Sequence, residues 1–351
     1  AGILPFAVPE VCAAALREGL TLCSGPLLLS LFPFLVVSRL LIQCPESDLL
    51  ALPFRLAAWG IGIRRPCAAR VLCIGFLGGF APAASAAAQA VRTGQLTAEE
   101  ADALLPACIC SGPSFVVLTV GQSMLGSAEL GVLLFAAQIT ANYLTAALLN
   151  RFAGVHSVEQ ESAAPASPAP PRLDEILADA AITYCKLCGF ILFFRLLAAG
   201  AGALLPTGAG TLCAILLEVC SGCDLASRTG RWGSLLCCAA LSVQGLSVLL
   251  QVRTICPAEM TLHPLYRARI LHLPLSLALF YLLLPGGEAD VFSTLPARVL
   301  LMRRVPPDCA LLVFAVCCMA ACTLRSGIRQ VEQKQMARNA GGCCINSKTL
   351  L

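Results

Sequence analysis

Residues 104–125 read LLPACICSGPSFVVLTVGQSML, an apolar run of membrane-spanning length interrupted in its middle by Ser111-Gly112-Pro113-Ser114. Residues 235–250, LLCCAALSVQGLSVLL, carry a second interruption, made by Ser242, Gln244, Gly245 and Ser247. Because an unsatisfied backbone N–H or C=O is costly in hydrocarbon, an interrupted helix persists there only where it is buried in protein or lines a cavity. Paired interruptions in two halves of a chain indicate the binding site of a transporter.

The composition predicts an all-α, polytopic helical membrane protein. Hydrophobic residues make up 58% of the chain and charged residues 13%, with a mean hydropathy of +0.82. Soluble domains are about 25% charged. The 351 residues leave room for eight or so spans of about 20 residues each in a lipid bilayer. The net charge of +4 is modest and scattered over loops, so we expect no nucleic acid partner.

The 21 cysteines do not follow the pattern of a small secreted disulfide scaffold. Many lie within or beside apolar runs, where a free thiol acts as a small hydrophobic group. Two CxxC pairs occur, Cys185/Cys188 and Cys220/Cys223, and joined together they would form a four-thiolate zinc site. Neither pair has a polar flank typical of a zinc knuckle. We favour inert thiols and expect no metal and no cofactor.

The chain divides into two halves that share one order of segments. Residues 1–152 form the first half, 153–172 a Pro-rich linker, 173–324 the second half and 325–351 a basic tail that the positive-inside rule assigns to the cytoplasm. Each half contains an amphipathic helix, a segment rich in small residues, the interrupted span and a clean span. Whether the two halves are inverted or parallel depends on whether the small-residue segments cross the membrane, which the sequence leaves open.

The segments are assigned as follows. Residues 1–19 and 49–63 are predicted to be interfacial helices, and a further amphipathic helix begins at Leu173. The small-residue segments, which permit a re-entrant bend, are 67–91 and 212–227. Thr97 followed by Glu100 matches a capping box and predicts a helix start. The uninterrupted spans are 20–43, 128–150, 187–205, 264–285 and 308–324.

Glu218 is the only carboxylate flanked on both sides by long apolar sequence. An acid inside a membrane indicates function by default, and Glu218 is therefore predicted to couple a proton or a cation. In the alternative interpretation, Glu218 lies near the surface and pairs with Arg228 or Arg231. Asp224 is closer to those arginines and is predicted to form a surface pair.

Several ordered motifs carry a resemblance to a known family. Four of them resemble the nucleoside-recognition "Gate" domain: Gly75–Phe80, Gly94–Asp102, Ser111–Phe115 and Gly121–Gly126. Three more narrow the resemblance to sporulation integral membrane proteins of the YlbJ type: Leu31–Phe34, Leu217–Gly222 and Ser242–Ser247. The resemblance extends from about residue 20 to residue 285. It implies transport of a small organic anion, dipicolinate, with the protein in the cell membrane or a forespore membrane.

The candidate substrate-binding residues lie at the interruptions. Pro113 lacks an N–H, and the half-helix that begins there offers unpaired N–H groups and a positive dipole end that suit a carboxylate. The full candidate set is Ser111, Gly112, Pro113, Ser114, Ser221, Gly222, Ser242, Gln244, Gly245 and Ser247. The alternative is that the breaks are kinks relieved by neighbouring helices. Gln122, Gln138 and Asn142 lie on or near one face of adjacent spans, and hydrogen bonds between helices are favoured for them over substrate contact.

Catalysis is not expected, because the chain contains none of the motifs GxGxxG placed between a strand and a helix, GxxxxGK[ST], HExxH or GxSxG. The sequence therefore favours a secondary transporter. The remaining alternative is a non-transporting membrane scaffold in spore envelope assembly, whose activity would reside in the basic tail from Arg325 to Lys348.

Overall fold

The structure, a computed structural model, describes residues 2–43, 49–153 and 173–284. In these ranges the regular structure is entirely helical, which confirms the predicted all-α class. The elements are α1 (Leu4–Ala7), α2 (Pro9–Ser24), α3 (Pro26–Gln43), α4 (Leu52–Gly60), α5 (Pro66–Gly78), α6 (Phe80–Arg92), α7 (Ala98–Cys108), the π-helix π1 (Ser114–Met124), α8 (Ala128–Ala153), α9 (Leu173–Leu204), α10 (Thr207–Leu217), α11 (Val219–Ser227), α12 (Gly233–Val243), α13 (Gly245–Ile255) and α14 (His263–Leu283).

Three helices are long and apolar enough to cross a membrane: Ala128–Ala153, Leu173–Leu204 and Gly230–Ile255. The first is α8 and agrees with the span predicted at 128–150. The second is α9, which merges the amphipathic helix predicted from Leu173 with the span predicted at 187–205. The third comprises a 3-10 turn at Gly230–Trp232 followed by α12 and α13.

The start of the chain differs from the prediction of an interfacial helix at 1–19 followed by a span at 20–43. Helices α2 and α3 meet instead at Gly25, five residues later than predicted. Gly25 has φ −117° and ψ −103°, outside the helical region, and Pro26 cannot donate a backbone hydrogen bond. These two residues together end one helix and begin the next. The interfacial helix predicted at 49–63 corresponds to the shorter α4.

Four breaks divide what would otherwise be continuous helices. Two fall where the sequence predicted interruptions: residues 109–113 separate α7 from π1, and Gln244 separates α12 from α13. The other two, at Gly79 and Glu218, fall inside the predicted small-residue segments. The capping box is confirmed, since the Thr97 hydroxyl accepts from the Glu100 N–H and the Glu100 carboxylate accepts from the Thr97 N–H.

The alanine-rich helix α6 lies at the centre of the packing. It contacts α3, α5, α7 and α13, and its alanines are almost all fully buried. Small side chains let neighbouring backbones approach closely, which is how helices associate in membranes. Helices from both sides of the linker contact one another, α6 with α13 and α8 with α14. The linker from residue 154, the span predicted at 308–324 and the tail at 325–351 lie outside the described residues.

Candidate functional site

In the first half, the break at Gly79 packs against the break at 109–113. Gly79 has φ +81°, and a Cβ placed there would lie 2.7 Å from the Gly112 nitrogen and 3.2 Å from the Cys110 carbonyl oxygen. The two breaks therefore meet backbone to backbone. A side chain larger than hydrogen at Gly79 would push them apart.

In the second half, the break at Glu218 packs in the same way against the break at Gln244. Gly245 has φ +69°, and a Cβ there would lie 2.9 Å from both the Glu218 nitrogen and the Leu217 carbonyl oxygen. Gln244 itself adopts the left-handed conformation at φ +65°, which is uncommon for a residue with a side chain. Each half thus contains two broken helices whose breaks touch.

The two pairs of breaks are joined by buried polar side chains. The Gln244 Nε2 donates to the Ser111 Oγ at 3.3 Å, and the Gln138 Nε2 donates to the Ser242 Oγ at 3.0 Å. We call this region the junction and define it by Ser111, Gln138, Ser242, Gln244 and Arg269. Ser111 and Gln244, which the sequence placed in separate halves, are brought together there.

Arg269 on α14 is the residue that the sequence analysis missed. One terminal nitrogen of its guanidinium donates to the Ile109 carbonyl and the other donates to the Ser242 carbonyl, so it holds one break from each half. Only 8% of Arg269 is exposed, and no described carboxylate forms an ion pair with it. The span predicted at 264–285 is the continuous helix α14, and this helix carries Arg269 as a buried cation.

The signal for Arg269 was present in the sequence. An ionisable residue inside an apolar run indicates a functional site by default, and Arg269 has this property as Glu218 does. The histidine that follows, His272, is also buried, and its Nε2 lies 3.2 Å from the Gln138 carbonyl oxygen. Arg269 and His272 are three positions apart and so share one face of the helix.

Several polar atoms of the junction and of the neighbouring His272 have no hydrogen-bond partner among the described residues. They are the Oε1 atoms of Gln138 and Gln244, the Nε of Arg269 and the Nδ1 of His272. Buried polar groups are nearly always paired, so four unpaired atoms in one region need an explanation. Both donors and acceptors are left over, as expected of a site that binds a polar ligand.

Glu218 is buried, with 3% of its surface exposed, and it does not pair with Arg228 or Arg231. Its carboxylate accepts from the Cys220 N–H at 2.7 Å, the Ser221 N–H at 2.7 Å and the Ser221 hydroxyl at 2.8 Å. Glu218 therefore caps the half-helix α11, where the positive end of the helix dipole favours a negative charge. The interpretation that placed Glu218 near the surface was wrong.

The other candidate residues are held by local contacts. Ser221 donates to Glu218, Gly222 packs against the Ile215 backbone, and the Ser247 hydroxyl accepts from the Gln251 side chain at 2.9 Å. Pro113 and Ser114 are half-buried at the start of π1. None of these five residues has a described side-chain contact with the junction.

Among the remaining side-chain predictions, those for Asp224, Gln138 and Asn142 agree with the contacts, whereas Gln122 is exposed and forms no described hydrogen bond. Asp224 pairs with Arg228 at 2.6 Å. Gln138 and Asn142 form hydrogen bonds between helices, Asn142 donating to the Ile109 carbonyl at 3.5 Å. The described residues contain no group of three or more His, Cys, Asp or Glu side chains arranged to hold a metal ion.

No protein-family model, curated protein or solved structure matches the chain. A functional proposal therefore has two supports, the geometry of the junction and the resemblance of individual motifs.

Proposed function

We propose that this protein is a secondary transporter of a small organic anion, and that the anion is held at the junction. The observation that carries the proposal is Arg269. A buried guanidinium without a counter-charge is unfavourable, and a carboxylate satisfies it best because it can accept two parallel hydrogen bonds. A substrate carboxylate would supply the negative charge that the described residues do not.

The arrangement of the breaks supports movement at this site. Ser111, Ser242 and Gln244 are each at most 6% exposed, so a solute reaches them only if helices shift. Arg269 holds a carbonyl from each half, and a ligand that competes for its donors would loosen one half from the other. Alternating access by transporters involves this kind of movement of one bundle against another around a fixed site.

We further propose that the two halves are structural repeats. The series α5–α6, α7–π1 and α8 matches the series α10–α11, α12–α13 and α14 in order: two broken helices followed by one long helix. The contact between breaks within each series supports this proposal.

The resemblance to sporulation membrane proteins of the YlbJ type supplies the proposed substrate, dipicolinate, and the proposed location in a forespore membrane. Dipicolinate carries two carboxylates, of which one would bind Arg269 and the other would accept from N–H groups at a helix break. Glu218 would couple a proton or cation, since protonation or ion binding there would weaken the cap on α11. No catalytic step is part of this proposal.

Uptake of labelled dipicolinate by proteoliposomes tests the proposal. We expect uptake above that of empty liposomes, and a loss of most of it in the triple variant Ser111→Ala, Ser114→Ala, Gln244→Ala. A matched control with the same residue types is Ser24→Ala, Ser123→Ala, Gln122→Ala, which leaves the junction intact. Equal uptake by the two triple variants would remove the binding site from the junction.

A further inference from the structure

A polar cavity lies away from the junction, between α3, α6, α9 and α13. Its volume is about 280 Å³. We call it the basic cleft. The residues that line it include Arg39, Arg92, Lys186, Asp179, Ser85 and Thr183.

The charge of the basic cleft is unbalanced. Arg39 is buried and forms an ion pair with Asp179, with 2.5 Å between the Arg39 nitrogen and the Asp179 oxygen. Arg92 and Lys186 form no ion pair with any described residue. Two exposed positive charges therefore face one cavity, where they attract an anion.

Hydroxyl groups complete the lining. Ser85, only 2% exposed, accepts from the Arg39 Nε at 3.3 Å, and Thr183 accepts from an Arg39 terminal nitrogen at 3.4 Å. Because each hydroxyl uses its oxygen to accept from Arg39, its proton remains able to donate to a ligand. Arginine, lysine and hydroxyl donors around a small cavity are the groups that recognise carboxylate and phosphate oxygens.

The basic cleft is connected to the junction by two helices. Ser85 follows the break at Gly79 by six residues on α6, about 9 Å along the helix. Thr254, which also lines the cleft, follows Gly245 by nine residues on α13, about 14 Å. The two sites are therefore separate but share two of the broken helices.

We propose that the basic cleft is an anion-binding site for a small group with two or more negatively charged oxygens. Arg92 and Lys186 would hold the anion, and Arg39 with the hydroxyls of Ser85 and Thr183 would orient it. Either a dicarboxylate in solution or the phosphate headgroup of an anionic lipid carries this chemistry. This site goes beyond the proposed transport function, because it would bind its anion whether or not the junction moves one.

The test compares two double variants. The cleft variant carries Arg92→Gln and Lys186→Gln, and the control carries Arg17→Gln and Arg151→Gln, which removes the same number of exposed cations elsewhere. In phosphatidylcholine nanodiscs, calorimetric titration with dipicolinate reports the dissolved ligand, with the singly charged picolinate as a comparison. In nanodiscs that contain phosphatidylglycerol, native mass spectrometry reports retained lipid. We expect at least a tenfold loss of dipicolinate affinity, or a loss of retained phosphatidylglycerol, in the cleft variant only.

The two arms separate the two sources of the anion. Equal binding of both probes by the cleft variant and the control would overturn the proposal. A lowered melting temperature of the cleft variant with binding unchanged would also overturn it, because the two cations would then contribute only to stability. Binding in the cleft without uptake by proteoliposomes would remove the transport function and leave the basic cleft standing.

Discussion

At the residue scale, the buried charges of this protein are compensated mainly by backbone dipoles. Glu218 accepts from two backbone N–H groups, and Asp102 accepts from the Thr261 and Leu262 N–H groups at 2.7 and 3.2 Å. Arg269 donates to two carbonyls. Both acids are satisfied by three donors each, whereas the Nε of Arg269 is unpaired. Arg269 therefore differs from Glu218 and Asp102 in keeping a donor free for a ligand.

The role of Glu218 as a helix cap predicts a graded loss of stability. Glu218→Ala leaves three buried donors of α11 unpaired and should lower the free energy of unfolding by about 1–3 kcal/mol. Glu218→Gln keeps one acceptor oxygen and should have a smaller effect. The control is Glu129→Ala, an exposed acid in the first turn of α8. Thermal unfolding in detergent gives the melting temperature of each of the three variants. Equal melting temperatures for Glu218→Ala and Glu129→Ala would show that Glu218 does not stabilise α11 as a cap.

At the element scale, the helix breaks depend on glycines that have no room for a side chain. Gly245 and Gly230 share nearly the same φ, +69° and +64°, but a Cβ at Gly230 would meet nothing within 4 Å. Comparing substitutions at these two positions therefore distinguishes the cost of backbone strain from the cost of close packing. At Gly79, φ +81° and ψ −164° define a conformation that essentially only glycine adopts, so backbone strain and close packing act together there.

We predict that Gly245→Ala is clearly more destabilising than Gly230→Ala. Both substitutions add left-handed strain of about 1–2 kcal/mol. Only Gly245→Ala also forces the break off the Glu218 backbone, which adds about 1–3 kcal/mol of overpacking. Melting temperatures of the two variants give the comparison. If Gly245→Ala and Gly230→Ala melted at the same temperature, the break at Gly245 would not be in contact with the break at Glu218.

The sequence predicted where helices begin and break better than it predicted which helix breaks contact one another. The breaks at 109–113 and Gln244 were found because Gly, Pro and Ser within an apolar run are local signals. The contacts of Gly79 with Gly112 and of Gly245 with Glu218 depend on tertiary packing, which no local pattern encodes. For the same reason Ser221, Gly222 and Ser247 looked equivalent to Ser111 and Gln244, although only the latter two meet.

At the scale of the whole molecule, the exposed apolar side chains and the positions of the two tryptophans are those of a protein surrounded by a lipid bilayer. Large apolar side chains are exposed on α9 and α14, among them Phe193 at 47%, Ile270 at 75% and Leu282 at 78%. The only two tryptophans, Trp59 and Trp232, are each about half exposed. Each lies beside an arginine, a combination typical of the membrane interface.

Tryptophan fluorescence in brominated lipids should therefore report an interfacial position. We expect lipids brominated near the headgroup to quench Trp59 and Trp232 more strongly than lipids brominated at the end of the acyl chain. The variants Trp59→Phe and Trp232→Phe separate the two signals. Quenching by aqueous iodide alone, with no effect of brominated lipid, would contradict insertion in a bilayer at these helices.

The central claim is that Arg269 receives the substrate carboxylate, and the initial rate of dipicolinate uptake by proteoliposomes tests it most directly. Arg267, exposed on the same helix, provides the matched control. Losing a charged hydrogen-bonded contact worth about 1.5–3 kcal/mol should lower uptake by Arg269→Gln about tenfold or more. Arg269→Lys, which keeps the charge, should retain more activity, and Arg267→Gln should match the unaltered protein. Undiminished uptake by Arg269→Gln, in protein that melts normally, would contradict the claim.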